Sequence, residues 1–114
     1  MISDITTDTL TTALAGLSAR ERVSSNNISN LETPNFKAGQ VSFEDSLKSA
    51  IAAGDPSKAT ISQTSAPGTV SANGNDVSLS DETVTDEKTQ MQFQLLSGAL
   101  TAKFGLLDTV IKGG

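Results

Sequence analysis

The sequence contains no cysteine, no histidine, no tryptophan and no tyrosine. Without cysteine there are no disulfides and no thiolate metal sites. Without histidine the commonest general base and metal ligand is missing. Aromatic residues make up 4% of the chain and hydrophobic residues 36%, below the roughly 45–50% usual for globular domains. A chain of 114 residues so composed has little to bury by itself, so its larger apolar contacts are expected to come from neighbours.

Basic residues are also scarce. Eight Lys and Arg stand against 13 Asp and Glu, for a net charge of −5 and a pI near 4.4. That balance disfavours nucleic acid, where a basic face supplies most of the affinity, and disfavours an anionic membrane surface. No run approaches the roughly 20 apolar residues that span a bilayer. The start, Met1-Ile2-Ser3-Asp4-Ile5-Thr6, lacks the basic and apolar regions of a secretory signal. A protein leaving the cytoplasm with this start is expected to use a route without a cleaved signal peptide.

Catalytic chemistry finds no foothold. The adjacent carboxylates Glu44-Asp45, Asp81-Glu82 and Asp86-Glu87 have no histidine or aromatic company, and read as solvated faces or helix starts rather than as an acid/base pair. Ser46 with Lys48 lacks any sign of an oxyanion hole. Ala72-Asn73-Gly74-Asn75-Asp76 is superficially like a calcium loop but lacks the spaced acids and terminal Glu that coordination needs, and reads as a turn. Asn27-Ile28-Ser29 matches a glycosylation sequon but falls inside a helix. The expectation is no catalytic residue, no metal, no cofactor and no enzyme.

What is present is helical periodicity at both ends. Residues 1–31 read as an N-terminal helix with Leu10, Leu14, Leu17, Ser24, Ile28 and Leu31 on one heptad stripe, interrupted by Glu21. Ala13 and Ala19 widen it, and Ser3 or Asp4 is the expected N-cap. Five threonines and Gly16 make this helix intrinsically weak. Residues 32–79 read as an irregular middle segment. Within it, residues 41–51 suit a short helix with Phe43, Leu47 and Ile51 on one face, and residues 54–68 read as flexible. Val70, Ala72, Asn73-Gly74, Val77 and Leu79 suggest a small β-hairpin.

Residues 80–114 form the strongest helix, with Ser80 as N-cap and Asp81 and Glu82 at the positive end of the macrodipole. Phe93, Leu96, Leu100, Phe104, Leu107 and Ile111 make one stripe; Met91, Leu95, Gly98, Ala102 and Gly105 make a second, nearly opposite. A helix apolar on nearly all sides is buried on nearly all sides. One other long helix cannot cover both faces, so several neighbouring subunits are expected. The fold class is mainly α: two long terminal helices forming a coiled-coil-like hairpin around an irregular middle.

Between the first helix and the middle stands Asn26-Asn27-Ile28-Ser29-Asn30-Leu31-Glu32-Thr33-Pro34-Asn35-Phe36-Lys37. Physically it is a helix end: Asn30 tolerates a left-handed closing conformation, Pro34 cannot continue a helix, and Phe36 offers an anchor. The stretch resembles the N-terminal signature of bacterial flagellar axial proteins, Asn-Ile-x-Asn-x-x-Thr-Pro-x-aromatic-basic. Asn27, Ile28, Asn30, Thr33, Pro34, Phe36 and Lys37 match it, while Leu31 stands where Ala is usual and Asn35 where Gly is usual. With the short chain, the following Val41-Ser42-Phe43-Glu44-Asp45-Ser46-Leu47, and the Phe93–Ile111 ending, it looks like the basal-body rod proteins of the proximal, FlgB type.

That resemblance implies a structural subunit of the periplasmic rod of the flagellar basal body, part of a drive shaft that transmits torque. It implies export by the flagellar type III apparatus, and partners that are other copies and other rod and basal-body proteins. The subunit-interface residues are then expected among the signature positions, Leu10, Leu14 and Leu17, and the two stripes of the last helix. The rival is a soluble coiled-coil adaptor or chaperone-like protein with a single partner, which needs only one apolar stripe per helix.

Overall fold

A computed structural model describes residues 4–66 and 68–111, apart from the side chains of Leu107, Val110 and Ile111. Ser3, Pro67 and Lys112, and the side chains of Leu107 and Ile111 that complete the first stripe, lie outside the described residues. Helix α1 (Ile5–Ser29) opens at Asp4, whose backbone is extended and whose carboxylate accepts the Thr7 N–H at 2.8 Å. This is the expected capping arrangement. Helix α3 (Leu79–Ile111) has 33 residues, about 50 Å at 1.5 Å per residue. The two run antiparallel: Lys103 Nζ, late in α3, meets Asp4 at 3.0 Å, while Glu82, early in α3, meets Ser24 late in α1. The molecule measures 64 × 28 × 16 Å with a radius of gyration of 17.7 Å, well above the about 13 Å of a compact chain this long.

Several expectations for the middle are corrected. Its strands are β1 (Gly39–Ser42) and β2 (Ser62–Ser65), paired antiparallel from Gly39↔Ser65 to Ser42↔Ser62. Residues 70–79 hold no strand; Ser71 and Gly74 close a turn instead. The hairpin signal read the turn correctly and its flanks wrongly, because Asn75 and Asp76 use their polar atoms on other segments. Residues 54–68, expected to be flexible, contain a 3-10 turn at Pro56–Lys58 and all of β2. The N-cap of α3 is Ser78, whose Oγ accepts the Asp81 N–H at 3.3 Å, and not Ser80. Helix α2 (Glu44–Ala52) buries Leu47 and Ala50 after Phe43, and leaves Ile51 39% exposed.

The core sits between α1 and this middle segment. Leu17, Val41 and Phe43 are 2%, 6% and 4% exposed. They are joined by Ala13, Ala19 and Leu47, with Leu96 of α3 packed against them. The middle therefore covers a second face of α1. Gly16 explains why Phe43 fits: a Cβ there would lie 2.5 Å from Phe43 Cγ. The glycine that looked like a weakness of the helix is the seat of its largest core side chain. Arg20 closes the edge, its guanidinium 5.0 Å from the Phe43 ring centroid. It donates to both Glu44 carboxylate oxygens at 2.6 and 2.7 Å and to Val41 C=O at 2.7 Å, a bidentate pairing.

Two outcomes follow. Gly16→Ala raises helix propensity by about 1 kcal/mol but overpacks Phe43 at a cost of about 1–3 kcal/mol. Urea denaturation will show a net loss for Gly16→Ala and a gain for Gly98→Ala, where an added Cβ meets nothing. The Arg20 guanidinium holds the Glu44 carboxyl down to about 2, from an ordinary value of 4.5. A depressed carboxyl adds stability that is present above 4.5 and lost as pH falls toward 2. Acid unfolding monitored by circular dichroism will show this limb in the parent and a flattened one in Glu44→Gln.

Candidate functional site

Asn27, the first signature residue, lies on the face of α1 under β1 and is 2% exposed. Its Oδ1 accepts the Gly39 N–H at 3.0 Å, and its Nδ2 donates to Gly39 C=O at 2.8 Å and to Glu82 Oε1 at 2.9 Å. The second oxygen of Glu82 accepts from Ser24 Oγ at 2.8 Å. One side-chain amide thus ties α1 to the backbone of β1 and to the first turn of α3. Glu82 was expected to act on the helix dipole; its carboxylate also reaches across to α1. The sequon reading fails for the reason expected, since this asparagine is inside a helix.

The rest of the signature forms a turn clasped by residues 71–77. Helix α1 ends at Asn30, which has φ −105° and is not left-handed. The left-handed residue is Asn35, φ 62°, at the position where the flagellar signature usually has glycine. The expected geometry is present five residues later, because Asn30 caps instead with its side chain: Nδ2 donates to Asn26 C=O and Oδ1 accepts from Thr33. Asn75, 3% exposed, donates to the C=O groups of Asn30 and Thr33, both at 2.8 Å, while its Oδ1 accepts the Val77 N–H. Asp76 accepts the Ala38 N–H at 2.6 Å and donates its own N–H to Phe36 C=O. Lys37 donates to Gly74 C=O. Sequence reading missed Asn75 and Asp76, although their density of polar side chains beside Gly74 was visible. Thr33 and Pro34 are exposed; Ile28 and Phe36 are half-buried.

The predicted stripes separate. Leu10 and Leu14 are half-buried and Leu17 is buried. Leu96 and Leu100 are half-buried, whereas Phe93 and Phe104 keep 37% and 45% of their surface. The opposite stripe is bare: Met91 is 70% and Leu95 72% exposed, and Gly98, Ala102 and Gly105 are exposed with them. A groove of about 410 Å³ opens between the long helices over Leu17, Glu21, Gln90 and Phe93. Glu21 Oε2 is buried there without a hydrogen-bond partner. The Asp86 carboxylate beside it, and then burial, push the Glu21 carboxyl upward. Among the described residues no three acidic, cysteine or histidine side chains gather as metal ligands, and no helix is long and apolar enough to cross a membrane.

An elongated helical hairpin with a groove between its helices and an exposed apolar stripe is built as a structural subunit. No protein-family model matches the chain. It is 30% identical over 134 aligned residues to the flagellar basal body rod protein FlgB of Bacillus subtilis (strain 168), covering 96% of this chain and 95% of that one. It is 27% identical over 118 residues to the FlgB of Borreliella burgdorferi, covering 84% and 87%. The chain belongs to the FlgB family of flagellar basal-body rod proteins, and is a structural subunit of the basal-body rod.

Removing the Asn27 amide leaves both polar groups of Gly39 unpaired and takes a donor from Glu82. Each such buried loss costs about 1–3 kcal/mol. Asn27→Ala will lower unfolding stability by at least about 2 kcal/mol in urea titrations, against no more than about 0.5 kcal/mol for the exposed Ser29→Ala.

Proposed function

We propose that this chain is a proximal rod subunit, part of the drive shaft that carries torque across the periplasm. It acts as a scaffold and not as an enzyme. Other copies of itself and other rod and basal-body proteins cover its open faces, and the flagellar type III apparatus exports it. The observation that carries this reading is the bare stripe of α3. Met91 and Leu95 are 70% and 72% exposed, and glycines and an alanine continue the stripe so that another helix backbone can come close. A single-partner adaptor has no use for apolar faces on two sides of one helix.

In this reading Asn30, Pro34 and Phe36 set how the chain leaves α1 toward neighbouring subunits. The clasp by residues 71–77 supports it by presenting that turn in one conformation.

Gly98 separates the demands of the single chain from those of the assembly. An added side chain there meets nothing within 4 Å, so Gly98→Leu leaves the free chain's fold intact. In the rod the same side chain overpacks a repeated contact at about 1–3 kcal/mol each. Cells carrying Gly98→Leu will express the protein, lose swimming, and yield basal bodies without complete rods in electron micrographs. Complete rods and normal motility would show that α3 is not closely packed at Gly98.

A further inference from the structure

Asn73-Gly74 is the one place in the sequence where glycine directly follows asparagine. Asparagine is among the thermally labile residues, and a following glycine makes it more so. With no side chain on that glycine, its backbone nitrogen can approach the asparagine Cγ. The nitrogen attacks the amide carbon and the new N–C bond closes a succinimide ring. The side-chain nitrogen leaves as ammonia, carrying off the proton of the attacking N–H. Water then opens the ring at either carbonyl. One product is aspartate. The other is isoaspartate, whose main chain runs through the former side chain and is longer by a carbon. The sum is a water consumed, an ammonia released and a negative charge gained by the chain.

Both reacting groups are held in the clasp. The Gly74 N–H donates to Ser71 C=O at 2.9 Å, so the proton of the attacking nitrogen is engaged. Asn73 Oδ1 accepts from Ser71 Oγ at 2.6 Å and from the Asn75 N–H at 3.1 Å, which ties the amide into the turn. The backbone on either side is pinned as well. The Asn35 N–H donates to Asn73 C=O at 2.9 Å, and the Ser71 N–H to Asn75 C=O at 2.7 Å. Ring closure requires the Gly74 N–H to be given up and the amide carbon to swing onto that nitrogen, movements these bonds oppose. Nor can the glycine simply be replaced. Gly74 is left-handed, with φ 84°, and a Cβ there would run into the Asn35 side chain.

We propose that Asn73 is a deamidation site that the folded clasp keeps closed, so that conversion passes through chains whose clasp has opened. Its rate then reports the open fraction of the clasp. The two products differ in what they leave behind. Aspartate keeps an oxygen where Oδ1 stands, and so keeps both donors. In isoaspartate the Asn73 C=O that receives the Asn35 N–H leaves the main chain, and Gly74 is displaced with the carbonyl that receives Lys37 Nζ. The lesion therefore falls on the turn that carries the flagellar signature.

The full chain is aged in one mildly alkaline buffer, either folded or unfolded in guanidinium chloride, and the peptide holding Asn73 is followed by mass spectrometry. Conversion is expected to be about tenfold or more slower in the folded chain. This comparison needs no variant. Ser71→Ala removes a donor from the Asn73 amide at an exposed position. It is expected to speed the folded reaction and leave the unfolded one unchanged, while Ser71→Thr, which keeps the hydroxyl, stays near the parent rate. Asn73→Asp supplies the aspartate product, and its Asn35 N–H is expected to exchange with solvent as slowly as in the parent. The isoaspartate chain, separated after ageing in denaturant and refolded, is expected to lose that protection. Equal rates in the folded and unfolded chain, or no conversion in either, would overturn the proposal. So would a folded Ser71→Ala chain that converts no faster than the parent, since the hydroxyl would then not be holding the amide back.

Discussion

Gly39 has to place its backbone N–H and C=O against the side of a helix whose own backbone groups are already used. A buried peptide group without partners costs about as much as several exposed contacts contribute. Asn27 solves this because a side-chain amide carries a donor and an acceptor in one plane, matching both groups of Gly39 at 3.0 and 2.8 Å. With Gly39 fixed, β1 is in register with β2, Val41 points into the core, and Phe43 drops onto Gly16. The remaining donor of Asn27 goes to Glu82, so the same amide also sets where α3 begins. Removing that amide disturbs all three segments at once.

The core built on this anchor is small and off-centre. It lies between α1 and the middle segment, and α3 reaches it chiefly through Leu96. Helix α3 therefore gains little burial from its own chain relative to its length, and much of the apolar surface it carries stays exposed in the single chain. The same arrangement leaves a half-buried acid, Glu21, with one carboxylate oxygen buried, in the stripe of α1 that faces α3. A carboxylate there weakens the single hairpin, since neither its desolvation nor the neighbouring Asp86 favours its charge. A chain selected only for its own stability would place leucine at this heptad position.

Sequence reading reached the two long helices, the Asp4 cap and the two-sided character of α3, because helical periodicity and capping are local signals. It did not reach β2. Ser62-Gln63-Thr64-Ser65 has no hydrophobic alternation and all four residues are exposed, so its strand state comes from pairing with β1 and from nothing in its own composition. It misread Gly16, because propensity scales price a glycine against solvent and not against an aromatic ring 25 or more residues away. It put the left-handed residue at Asn30 where the chain uses Asn35, because both are asparagines and the contacts at this turn, Asn75 on the Asn30 and Thr33 carbonyls and the Asn35 N–H on Asn73 C=O, come from a distant segment. The signature residues were legible as a set, but their work is divided in a way that spacing could not show: Asn27 is buried and joins segments, while Thr33 and Pro34 face solvent.

A rod under torsional load needs its helices not to slide past one another. Apolar stripes resist this poorly, since one methyl-lined ridge can move to the next groove at modest cost. Polar contacts with fixed geometry resist it well, because a displaced hydrogen bond leaves unpaired groups. Here α1 and α3 are pinned at two places, by Ser24 and Asn27 to Glu82 at one end and by Asp4 to Lys103 at the other. On α3 the pins are 21 residues apart, about 32 Å along the helix, so sliding or splaying must break at least one. The inner pin is buried and keeps its strength in salt, while the outer is exposed and screened. The hairpin is therefore stiffest where the signature turn and the residue 71–77 clasp adjoin it, and most yielding toward the start of α1.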